Sequence, residues 1–99
     1  MIKLANTTNF EGFELKYYKV TLNHEGNSGV PTFYGVLVEQ YLNGNIVERV
    51  YGESFTTDEA DINRLINVLA GEMPTLPSTL NEVLHEWKHP EFYFDLVLA

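Results

Sequence analysis

Residues 85–89 read His85-Glu86-Trp87-Lys88-His89. This is the H-E-x-x-H spacing that, in zinc proteases, sets two imidazoles on one helix face with the glutamate as general base. A helix through this segment groups Leu80, Val83, Leu84 and Trp87 on one side, and Glu82, His85, Glu86 and His89 on the other. The apolar side must pack on the rest of the domain, so the imidazoles are expected in solvent. Catalytic zinc needs three protein ligands around a sheltered open position. Glu82 could add a third ligand only at an exposed site, Lys88 places a charge inside the motif, and Pro90 ends the helix at once. The spacing reads as chance. No catalytic residue, metal or cofactor is expected.

Other reactive constellations are thinner. His24 sits in a polar loop, and Ser28, Ser54 and Ser78 have no histidine nearby in sequence and no G-x-S-x-G setting. Glycines occur singly, without phosphate-cradling spacing. The adjacent carboxylates Asp58 and Glu59 read as charge at a helix N-terminus.

Charge is uneven along the chain. The formal net is −8. Residues 1–49 carry five acids against Lys3, Lys16, Lys19 and Arg49, whereas residues 50–99 carry nine acids against Arg64 and Lys88. An acidic surface repels phosphates, so direct nucleic-acid binding is not expected, and a partner with a basic surface is. There is no cysteine among the 99 residues, which excludes disulfides and thiolate metal sites. The first nine residues carry no secretion signal, and no uncharged apolar run approaches membrane-spanning length. A single cytoplasmic domain spanning residues 1–99 is expected.

The elements that must position these residues follow from periodicity. Residues 1–11, rich in Asn and Thr, read as frayed. Phe13–Leu22 reads as a strand whose alternation changes parity, for which a bulge near Tyr17-Tyr18 would account. Residues 23–31 read as a loop. Thr32–Leu42 and Ile46–Phe55 form a hairpin through Asn43-Gly44-Asn45. A two-residue Asn43-Gly44 loop would set Glu39 opposite Glu48, a like-charge pair, so a three-residue loop is preferred, which sets Glu39 opposite Arg49 and Val38 opposite Val50. Thr56 and Glu59 have capping-box spacing ahead of a helix with the stripe Ile62, Leu65, Ile66, Leu69, and Gly71 reads as its stop. Ser78 or Thr79 caps a second helix that Pro90 ends. Phe92, Phe94, Leu96 and Leu98 alternate as a fourth strand. The expected fold is α+β: a small antiparallel sheet of three or four strands with two helices packed on one face.

Six tyrosines, six phenylalanines and Trp87 are more aromatics than so small a core can hide, so some tyrosines must face outward. Tyr34 and Tyr51 are the candidates for an interface on the sheet. Asp58, Glu59, Asp61, Glu82 and Glu86 are the candidates for an acidic one.

Three landmarks in order carry a family resemblance: Tyr34-Gly35-Val36, then Thr57-Asp58 leading the first helix, then Pro77-Ser78-Thr79-Leu80-Asn81-Glu82-Val83-Leu84-His85-Glu86-Trp87. Over residues 32–88 the chain resembles a bacterial family of small uncharacterised proteins. The resemblance implies a strand-strand-helix-helix core and brings no activity, cofactor or partner. The aromatic stretch 92–98 departs from that family. In size, charge and element order the chain is also similar to small acidic anti-CRISPR proteins, without a shared residue motif.

The first functional reading is a non-catalytic protein-interaction module or small regulator, able to self-associate as a homodimer through an edge strand or a tyrosine-bearing sheet face. The alternative is a phage-type acidic inhibitor that occupies a basic nucleic-acid-binding groove of its target. The third is a metal-dependent hydrolase using His85, Glu86 and His89.

Overall fold

The computed structural model of the chain describes residues 1–22, 32–71 and 73–88. Its strands β1 (Ile2–Phe10), β2 (Phe13–Leu22), β3 (Phe33–Leu42) and β4 (Asn45–Thr56) form one antiparallel sheet in the order β1-β2-β3-β4. Helix α1 (Glu59–Leu69), a 3₁₀ turn at Pro77–Thr79 and helix α2 (Leu80–Lys88) follow. All three pack on one face of the sheet, which gives the expected α+β architecture. No described helix is long and apolar enough to cross a membrane.

A strand forms where periodicity predicted none. Residues 2–10, expected to fray, form β1. Its composition hides it: an edge strand needs backbone pairing on one side only, and β1 buries little on either face. The turn that makes it is Glu11-Gly12, both at positive φ (51° and 86°), the backbone of a two-residue type I′ hairpin. The candidate strand at 92–98 lies outside the described residues, as do the 23–31 loop and His89.

The β3–β4 hairpin combines both registers that the sequence allows. Asn43 and Gly44 sit at φ 52° and 81°, and Leu42 faces Asn45, so the loop has two residues instead of the expected three. Yet Glu39 faces Arg49 and Val38 faces Val50. A register shift between Gln40 and Tyr41 reconciles them, because Val47 is extra on β4. The bulge expected in β2 lies instead in β1, at Ala5, opposite the Tyr17-Tyr18 step. The parity change in β2 has another cause: both faces of the sheet carry apolar side chains.

The core lies between the sheet and the helices. Leu15, Tyr17, Val36 and Val38 meet Ile62, Leu65, Ile66, Leu69, Leu80 and Leu84. Each side chain of this size contributes roughly 1.5–3 kcal/mol when removed from water. The α1 stripe is the expected one, but its cap differs. Asp58 is the N-cap and accepts from Ala60 N–H, while Thr56 Oγ1 accepts from Asp58 N–H. Gly52 lies under α2, where a Cβ would displace the end of the Leu84 side chain and meet Val36 and Leu80 at ordinary contact distance. The Tyr17 hydroxyl crosses the core to donate to the Thr75 carbonyl at 2.9 Å, which fixes the α1–α2 connection against β2.

Candidate functional site

The helices leave the second face of the sheet uncovered by any described element. Strand pairing places Ile2 and Leu4 (β1), Tyr18, Val20 and Leu22 (β2), Leu37 (β3) and Tyr51 (β4) side by side there. Ile46, opposite Tyr41, joins them nearer the hairpin. Five of these apolar side chains are exposed: Ile2 at 60%, Leu4 at 48%, Leu22 at 38%, Ile46 at 46% and Tyr51 at 39%. Isolated exposed apolar residues need no explanation, but a group on one face does. Between them lies an open hollow of about 640 Å³ that reaches all four strands.

One wall of the hollow is polar. The Glu39 side chain is 5% exposed and lies across the ladder from Arg49. Its Oε2 accepts from Arg49 Nε at 2.8 Å and lies 2.7 Å from Nη2, while Oε1 accepts from the Tyr41 hydroxyl at 2.9 Å. The Tyr18 hydroxyl bonds the same carboxylate. Lys16 Nζ in turn sits 4.7 Å from the Tyr41 ring centroid, a cation–π contact. Burial pushes the Glu39 carboxyl up, but the hydrogen bonds from Tyr18, Tyr41 and Arg49 outweigh it and hold the group below its ordinary value. Burial first, and then Glu39, pushes the Tyr18 phenol up to about 12. A carboxylate held ionised by three donors is an anchor and is badly placed to act as a base.

The residues singled out in sequence do not converge. Tyr51 is on the open face and lines the hollow. Tyr34 is on the helix face, half-buried at the margin of the core, with Lys19 Nζ 5.4 Å from its ring centroid. The two candidate tyrosines therefore share no surface. Among the acids, Asp58 caps α1 and Glu59 Oε2 lies 2.9 Å from Lys19 Nζ. Asp61 Oδ1 accepts from Trp87 Nε1 at 3.1 Å and from Arg64 Nη2 at 3.3 Å. Hydrogen bonding to Lys19, then its charge, lowers the Glu59 carboxyl. Glu82, His85 and Glu86 are exposed on α2. Among the described residues no group of three His, Asp or Glu side chains could hold a metal ion.

Sequence reasoning missed the Glu39 cluster. Its signal was present: one acid inside the apolar run Val36-Leu37-Val38-Glu39, with a preferred register that already set Arg49 opposite. Comparison with protein-family models, with curated proteins and with solved structures gives no significant match.

Proposed function

We propose that this chain is a non-catalytic protein-interaction module that binds through the open face of its sheet. The observation that carries this reading is the group of exposed apolar side chains on this face, contributed by β1, β2 and β4, beside a hollow that all four strands line. Burying such a face is the main favourable term in most protein association. Tyr18, Tyr41 and Tyr51 add rigid, amphipathic area at low entropic cost.

The sheet edges are poorer templates. β1 carries Lys3 and the Ala5 bulge, both of which discourage strand addition, and β4 is bulged at Val47. The acidic-inhibitor reading draws less support. Asp58, Glu59 and Asp61 are engaged with the fold itself although Asp58 and Glu59 are exposed, and Glu82 and Glu86 are exposed on α2.

A photo-crosslinking side chain at Leu22 or Tyr51, compared with one at Val68 on α1, tests the proposal in the expressing cell. Val68 is 56% exposed and lies on the helix layer. Protein adducts from the two face positions and none from Val68 are expected. Adducts from Val68 alone would refute the assignment of the face.

A further inference from the structure

We infer that the occupant of the open face is a second copy of this chain, packed sheet on sheet as a four-layer dimer with the helices outside. The inference rests on reading the face as a protein-interaction surface and names its partner.

Charge placement is the first argument. The chain is strongly acidic, yet among the described side chains the open face carries Glu14 and Glu39 against Lys16 and Arg49 and is locally neutral. The acids of α1 and α2 lie on the opposite layer. A basic partner would be drawn to that layer and would leave the apolar face uncovered. Two copies joined face to face keep their helix layers outermost. With about 10 Å between sheets and a similar helix–sheet spacing, those layers stand roughly 30 Å apart, beyond the Debye length of about 8–10 Å. Their mutual repulsion is therefore largely screened.

Polar satisfaction is the second. A sheet face that contains a carboxylate can be covered by an apolar surface only if that carboxylate is already bonded. Glu39 meets this condition, with Arg49 and Tyr41 on its two oxygens and Tyr18 beside them. The Arg49 side chain, 60% exposed, sits on the edge strand, where its guanidinium would stay at the rim.

Size is the third. Four strands spaced about 4.8 Å apart and about 30 Å long present a face of roughly 600 Å². Two such faces bury about 1,200 Å² in total, at the threshold for a specific stable interface.

Sedimentation equilibrium of the purified protein at low and high salt tests this, with Leu22→Lys/Tyr51→Lys as the face variant and Val68→Lys as the control. Both face positions are exposed in the single chain, so circular dichroism should match the unaltered protein, with Tm lower only by the stabilisation that dimerisation adds. The expected result is a species of twice the 11.3 kDa chain mass, nearly indifferent to salt. The face variant should weaken dimerisation on the order of a hundredfold, as unpaired charges buried at an interface do, and the control should leave it unchanged. A monomer at every concentration, or a dimer insensitive to the face variant, overturns the inference. A monomer that still crosslinks another protein from Leu22 and Tyr51 overturns the dimer alone. A monomer carrying a small molecule in native mass spectrometry, with no protein crosslink from the face, overturns both this inference and the reading beneath it.

Discussion

Arg49 and Glu39 face each other across β3 and β4, with Nη2 2.7 Å from Oε2, on the side of the sheet that no described helix covers. The carboxylate is nearly buried and the guanidinium is mostly exposed. Such asymmetry makes the pair sensitive to loss of the arginine, which would leave a carboxylate with only its phenol donors.

Arg49→Ala should therefore destabilise the fold by about 2 kcal/mol, the usual size for a hydrogen bond to a charged group. The pH dependence has a definite sign. The folded-state Glu39 carboxyl is held below its ordinary value of 4.5, so its contribution is present above that value and is lost as pH falls through the depressed one. Denaturant unfolding of Glu39→Gln should show a flatter loss of stability on the acid side than the unaltered protein. Identical acid limbs would mean that the pair does not set this response.

Two phenols give the alkaline counterpart. Burial raises Tyr17 to about 12, and burial followed by Glu39 raises Tyr18 to about 12, from an ordinary 10.0. Protonated forms are favoured by folding, so this stabilisation is complete below pH about 10 and vanishes as pH rises through about 12. Tyrosinate absorbance should rise in separate steps, with Tyr17 and Tyr18 last and coincident with unfolding. Tyr18→Phe should remove part of the late step. Titration of Tyr17 and Tyr18 near 10.0 would contradict the burial assigned to the two.

Trp87 Nε1 donates to Asp61 Oδ1 at 3.1 Å and links α2 to the start of α1. Trp87→Phe should cost about 1 kcal/mol for the hydrogen bond, and Trp87→Ala about 3 kcal/mol, low in the range for aromatic truncation because the ring is half-buried. A double-mutant cycle with Asp61→Ala should return a coupling near 1 kcal/mol. Denaturant unfolding followed by circular dichroism reports both, since these variants remove the single tryptophan. By contrast, Glu82→Gln with Glu86→Gln should stay within about 0.5 kcal/mol of the unaltered protein.

What the sequence made legible follows from how strongly periodicity is written. Ile62, Leu65, Ile66 and Leu69 recur at helical spacing, and all four are buried where expected. The hairpin around Asn43-Gly44 and the pairing of Glu39 with Arg49 were also readable, from turn chemistry and from charge across the ladder, but the loop length was not, because the Val47 bulge lets a two-residue turn keep that pairing. β1 was not, because after Ile2 and Leu4 its Asn and Thr residues carry no apolar alternation and look like a polar terminus. Nor was the bulge at Ala5 placed in its own strand, since two apolar sheet faces gave β2 the parity change that a bulge also produces. For the site, alternation foretold that tyrosines would face outward but not which. Tyr51 does and Tyr34 does not, a difference set by register.

Hydroxyl-radical footprinting of the native protein, compared with Leu22→Lys/Tyr51→Lys, tests most directly whether the open face is a contact surface. If it is covered in the assembled state, Ile2 and Leu4 should be oxidised far less in the native protein than in the variant. Met73 and Val68, exposed at 86% and 56% on the other side of the chain, should react equally in both. Oxidation of Ile2 and Leu4 in proportion to their 60% and 48% exposure in the single chain, unchanged by the variant, would mean that nothing covers the face.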